Sequence, residues 1–151
     1  MLDGHLGRLA TMLRLLGFDT WWESDPEDEA LAEISARDDR VLLTRDLGLL
    51  KRSLVQRGAF VRSTAHLTQA REIVERFALR EKARPFARCL ACNGVLREVP
   101  AAEAASRPPP RVRERHEHFV GCDDCGRLYW AGTHHDRMKG VVAQVLSPAT
   151  T

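Results

Sequence analysis

Along residues 5–16, HLGRLATMLRLL, apolar side chains occupy positions 6, 9, 10, 12, 13, 15 and 16. That spacing predicts a helix buried over most of its circumference, with Arg8, Thr11 and Arg14 left as one polar stripe at intervals of three. Gly17 supplies a C-terminal stop. FDTWW (18–22) reads as a short strand rich in aromatic residues. SDPEDEALAEISA (24–36) has an Asp-Pro start, an acidic first turn and apolar residues at 30, 31 and 34, which predicts a second helix. RVLLT (40–44) predicts a strand, followed by a helix over about 46–57 that Gly58 ends. AFVR (59–62) predicts another strand. LTQAREIVERFAL (67–79) then predicts an amphipathic helix with 67, 70, 73, 74 and 77 on one face.

Helices alternating with short apolar strands are the signature of an α/β domain with a parallel sheet. A first strand should precede the helix at 5–16, yet only Met1 and Leu2 stand before Asp3. A parallel sheet rarely has a two-residue central strand, so native sequence is expected upstream, with a few more apolar residues before Asp3. After Pro85 the character changes. RCLACNGVL (88–96) and GCDDCGRLYW (121–130) flank a polar insert containing SRPPPRVRER (106–115), which reads as an exposed excursion. The expected organisation is one α/β domain over 1–84 and a small cysteine-bearing domain over 85–151, with the proline-rich insert and a C-terminal tail.

Hydrophobic content of 44% supports a real core. No run approaches the roughly 18 apolar residues that a membrane span requires. The N-terminus lacks a basic stretch followed by an apolar one, so a cytoplasmic protein is the expectation. The net charge of +2 hides a segregation: residues 1–39 hold ten acids against three Lys or Arg, and residues 40–97 hold thirteen Lys or Arg against four acids. Such a division suits a polyanion partner, or two solvated faces of opposite bias.

All four cysteines lie in two Cys-x-x-Cys pairs, Cys89/Cys92 and Cys122/Cys125, separated by 29 residues. Each pair carries a glycine close behind it, suited to a tight turn that points backbone amides at sulfur. Four thiolates make a closed tetrahedral zinc site, structural because no position is left open. Disulfides are the alternative, but nothing marks the chain as secreted. His134 and His135 in GTHHD are then surplus as ligands and read as surface, nucleic-acid-contacting or structural residues.

The carboxylates raise a second question. In open parallel sheets ligands bind beyond the carboxyl ends of the strands. Asp46 follows the strand at 41–44, Asp3 follows the shortened first strand, and Asp28 opens a helix after the second. Three carboxylates converging there would repel one another unless they held a cation, and hard divalent ions prefer oxygen ligands. Each also has a plainer reading. Asp28 can serve the helix dipole, Asp46 can cap the helix it precedes, Asp3 can form a turn with Gly4, and Asp25 can form a turn or cap before Pro26.

LDGHLGRLATMLRLLGFDT (2–20), DEALAEISARDDRVLLTRD (28–46) and the cysteine pairs ending in YWAGTHHDRM (129–138) resemble, in order, a PIN-like ribonuclease family with a C-terminal zinc ribbon. That family is named after the C-terminal domain of a mutator-type exonuclease. The resemblance implies an α/β, PIN-like parallel sheet flanked by helices and followed by a small zinc ribbon. It implies a magnesium- or manganese-dependent nuclease that hydrolyses phosphodiester bonds in RNA, with Asp3, Asp28 and Asp46 at the family's acidic positions. Asp3 and Asp46 would be metal ligands and Asp28 a ligand or the group orienting water. Arg8 and Arg45 flank the acids and are expected to contact the scissile phosphate, although Arg45 can equally pair with Asp46 or Asp28. Basic residues from Lys51 to Arg97, with the ribbon and LYW (128–130), suggest a track for single-stranded RNA.

Relatives often carry an N-terminal ubiquitin-like domain. PIN nucleases also commonly place a fourth acid after the next strand, where this chain has VRSTAH (61–66) and no carboxylate. That departure leaves a rival reading, a zinc-ribbon RNA- or DNA-binding module on an inert PIN-like scaffold.

Overall fold

The computed structural model describes residues 1–148, so the last three residues of the expected C-terminal tail lie outside the described residues. The described residues form two compact units: Met1–Leu13 with Asp19–Lys82, and Arg14–Phe18 with residues 83–148.

In the first unit a 3-10 turn, Gly4–Leu6, leads into α1 (Gly7–Leu15), whose last two residues belong to the second unit, and α2 spans Asp28–Arg37. Strand β1 (Leu42–Thr44) is buried throughout, as a strand covered on both faces must be. It is followed by α3 (Leu47–Leu50), β2 (Gly58–Phe60) and α4 (His66–Arg76). β1 and β2 pair in parallel with Leu43 opposite Ala59, and Leu2 forms a parallel bridge to Leu43 on the other side. Met1 packs with Leu31, Leu42 and Leu49 in a buried cluster that Trp21, Ile34 and Val55 flank. α4 buries Ala70, Ile73 and Val74, the face that its periodicity predicts.

Two expected elements differ here. FDTWW is not a strand, because the two residues beside it supply a single rung, Leu2 N donating to Trp21 O at 3.1 Å. The helix expected over 46–57 stops at Leu50, since Val55 must turn into the core cluster and the Arg57 carbonyl must reach Leu42 N, 2.8 Å away, to start the β1–β2 ladder.

In the second unit β3 (Leu96–Val99) precedes α5 (Ala101–Ala104) and α6 (Pro110–Arg115), and then come β4 (Phe119–Cys122), β5 (Leu128–Trp130) and α7 (Thr133–Leu146). The three strands form an antiparallel sheet in the order β3-β4-β5. The proline-rich insert is mostly exposed, as expected, but it forms two short helices and is seated on the sheet at a few points. Pro109 and Pro110 occupy the cap and first turn of α6, where a missing N–H costs nothing, and the insert packs Ala104 against Val99 and Phe119 with Val112 alongside. Arg97 ties it down further, reaching Glu103 at 2.7 Å and Asp123 at 2.8 Å.

Gly17 has a φ of +88°, and a Cβ placed there would stand 2.0 Å from the Arg84 carbonyl oxygen. That approach accompanies the bonds from Arg84 N to Leu16 O (2.9 Å) and Phe86 N to Leu15 O (3.0 Å). Gly17→Ala combines left-handed strain with a backbone clash, and we expect it to destabilise the fold by roughly 2–4 kcal/mol, read as a lower urea midpoint. An unchanged midpoint would contradict this account of the turn.

Candidate acidic site and thiol cluster

Asp3 and Asp46 both follow parallel segments at their carboxyl ends. Asp3 N donates to Leu43 O at 3.2 Å, which fixes the residue beside β1. The Asp3 side chain is only 7% exposed, and its Oδ1 accepts from His5 N at 3.0 Å. The Thr44 hydroxyl donates to Asp3 Oδ2 and accepts from Asp46 N at 2.9 Å, so one buried threonine joins the two acidic positions. Asp46 Oδ1 accepts from Gly48 N (2.7 Å) and Leu49 N (3.2 Å) and thereby caps α3. Capping is thus present in both residues. A carboxylate offers about four lone-pair sites, so these bonds leave each acid with acceptor capacity.

Asp28 stands apart from this pair. It opens α2 and faces Arg52 at 3.7 Å, with both side chains about half exposed. Such an exposed pair contributes at most about 1 kcal/mol and is readily exchanged. Among the described residues the three carboxylates do not gather their oxygens within the span of one ion, whereas the four thiols do.

The two arginines differ. Arg8 is exposed on α1, with no hydrogen bond or ion pair among the described residues. Arg45 pairs with neither Asp46 nor Asp28. Its Nη1 donates to the carbonyls of Val61 (2.8 Å), Arg62 (2.6 Å) and Ser63 (2.9 Å), and its guanidinium lies over the Phe60 ring. The same loop is held from the other side by Glu72, whose carboxylate accepts from Arg62 N and Ser63 N, each at 2.9 Å. Burial would raise the Glu72 carboxyl, but these amides outweigh it and hold it below the usual carboxylate range.

In the second unit the sulfurs of Cys89, Cys92, Cys122 and Cys125 all lie within 4.8 Å of one another, and all four are free thiols. Cys89 and Cys125 are 3.6 Å apart and Cys92 and Cys122 3.3 Å. A zinc–sulfur bond of about 2.3 Å sets tetrahedral thiolates about 3.8 Å apart, so the donor set and its size both fit zinc. The two knuckles share one geometry. Cys89 N donates to Gly94 O and Asn93 N to Cys89 O, just as Cys122 N donates to Arg127 O and Gly126 N to Cys122 O. Asn93 (φ 73°) and Gly126 (φ 75°) take the left-handed place in each turn. Gly94 serves close approach instead: a Cβ there would meet the Cys122 sulfur at 2.7 Å. Burial pushes the Cys89 thiol up, but the Tyr129 hydroxyl 3.1 Å away and the amides of Cys92 and Ala91 outweigh it and bring it down to about 6.

This cluster, following a small parallel sheet with helices, is the arrangement of an α/β unit joined to a zinc ribbon. The family model described as the Mut7-C RNAse domain matches residues 1–142. The chain belongs to that family. No curated protein and no solved structure matches it. Membership gives this Mut7-C chain a nuclease-type role with RNA as its class of substrate. Among the described residues no helix is long and apolar enough to cross a membrane.

Three contributors escaped sequence reasoning. Thr44 could have been found from its place two residues before Asp46 at the end of a buried strand. Arg14 is not part of a solvent stripe: it is 5% exposed and donates to the carbonyls of Leu90 and Ala91, both at 3.1 Å, inside the first knuckle. Nothing local distinguishes it from Arg8. Tyr129 braces a thiol rather than simply offering a stacking face.

Proposed function

We propose that this Mut7-C chain is a divalent-metal-dependent ribonuclease that hydrolyses phosphodiester bonds in single-stranded RNA, in a PIN-like site built on Asp3, Asp46 and Asp28. The observation that carries the reading is Asp3: a carboxylate buried at the carboxyl edge of parallel strands, joined to Asp46 through Thr44 and without an ion pair among the described residues. Burying a charge with no counter-charge is costly, and a cation at that edge would offset it.

Asp3 and Asp46 would hold magnesium or manganese, hard ions that suit carboxylate oxygens. When bound, such an ion supplies a water activated near neutral pH and offsets charge on the phosphate oxygens. The chain's own share is positional. Thr44 orients Asp3 and anchors the Asp46 backbone, and the α3 amides fix the Asp46 carboxylate. Asp28 serves as a third ligand or orients the water once it leaves Arg52. Arg8 is the freer of the two arginines for a phosphate, while Arg45 holds the loop at 61–63. Zinc on the four thiols would be structural, because four sulfurs leave no open position. Cytoplasmic location and a ubiquitin-like domain upstream complete the proposal.

Labelled RNA incubated with manganese, with and without chelator, tests it. We expect cleavage that the chelator abolishes. RNA bound but intact in manganese would favour the rival, a non-catalytic binding module, for which the fourth acid missing from 61–66 speaks.

A further inference from the structure

The second unit contains a cleft of about 430 Å³, within the range of about 300–1,000 Å³ typical of small-ligand sites. Phe86, Tyr129 and Trp130 give it aromatic walls, Arg88, His134 and His135 give it nitrogen donors, and no carboxylate lines it. Planar apolar walls suit a flat ring, and cationic or donor groups without acids suit an anion.

Two features mark the cleft as more than a packing fault. Phe86 has φ +63°, a conformation in which a bulky residue is an outlier, and such strain gathers at ligand sites. Its ring lies 4.4 Å from that of His135, tilted by 41°. The Nδ1 atom of His135 is buried and has no hydrogen-bond partner among the described residues. A buried polar atom left unsatisfied is disfavoured, so a ligand with the complementary group would be held there once a small turn of the ring brought that atom to the cleft. The Tyr129 wall is set by its hydroxyl contact with Cys89, which couples the cleft to the thiol cluster. α7 also begins at the mouth, where Gly132 provides no side-chain cap and its first amides favour a phosphate.

We propose that this cleft holds one unpaired nucleotide of an RNA strand, its base between the aromatic walls with an edge on His135, and its phosphate near His134 and the start of α7. Only an unstacked base can enter such a pocket, so the cleft would select single strands over duplex. The assignment rests on RNA being the substrate and adds a binding site separate from the acidic residues.

The test uses the zinc-loaded chain and calorimetric titration with AMP, adenosine, inorganic phosphate, a short single-stranded oligoadenylate and its duplex. AMP should bind more tightly than adenosine or phosphate, and the single strand, but not the duplex, should compete with it. His135→Phe keeps the ring packed on Phe86 and should weaken AMP roughly tenfold, the worth of one hydrogen bond. Thr133→Trp, at an exposed position on the rim, should block AMP altogether. Both variants should retain zinc, which shows that the ribbon is intact. Normal AMP binding by both variants, phosphate binding as tightly as AMP, or duplex competing as well as single strand would overturn the proposal. The Asp46→Asn chain separates the two readings, since it should bind AMP normally. RNA cleavage with no AMP bound in the cleft would sink this inference alone, and AMP binding without any cleavage would sink the nuclease reading alone.

Discussion

Asp46→Asn is expected to lower metal-dependent RNA cleavage by about 100-fold or more, equivalent to about 3 kcal/mol of transition-state stabilisation. The substitution removes a charge from the group proposed to hold the ion while preserving shape and one acceptor oxygen. The α3 cap should survive, because asparagine caps nearly as well as aspartate and can still accept from the amides of Gly48 and Leu49. RNA affinity should hold or rise, since a negative charge near the phosphates has gone. Cleavage and gel-shift assays on wild type and variant, in manganese, read both quantities. The binding-module reading forecasts no cleavage to lose. Equal cleavage by the two proteins would mean a contaminating nuclease or a wrongly assigned site.

Cys89→Ser should reduce bound zinc from one equivalent per chain to well under half and unfold the ribbon. Metal binding supplies about 10–16 kcal/mol to small structural zinc domains, far more than this sheet can replace from its own core. That core is a buried cluster of Val99, Ala104 and Phe119 with a few partly buried neighbours. Serine is a poor zinc ligand, and the exchange also removes the sulfur that the Tyr129 hydroxyl contacts. Metal analysis and the dispersion of amide signals from residues 83–148 measure the two effects. A wild-type chain lacking zinc, with its thiols oxidised in pairs, would refute the zinc assignment. Lowering the pH should also release the metal, because protons compete with zinc for the thiolates.

Much of the architecture was legible from local pattern. The buried face of α4, the aliphatic run into the buried β1 and the alternation of helix and strand follow from periodicity, which needs no knowledge of neighbours. The misreadings came where neighbours decide. The residues at 46–57 have helical composition, yet they must deliver Val55 to the core and Arg57 to a ladder, and those demands ended the helix at Leu50. The polarity of the proline-rich insert correctly marked most of it as exposed, but not that its prolines would start a helix or that Ala104 and Val112 would seat it on Val99 and Phe119.

The candidate sites divide in the same way. Four thiols in two Cys-x-x-Cys pairs specify a metal cluster from spacing alone, because each short turn already presents two sulfurs to one point. The order of strands and acids likewise fixes which edge of a parallel sheet Asp3 and Asp46 occupy. Only the folded chain could show that Thr44 joins those two acids and that Asp28 faces Arg52 instead. It alone sends Arg14 inward to the first knuckle while Arg8, with the same chemistry earlier on the same helix, stays in solvent. Spacing sets where a side chain starts, but its partner is chosen by whatever the rest of the chain brings within hydrogen-bonding reach, and that is a property of tertiary structure.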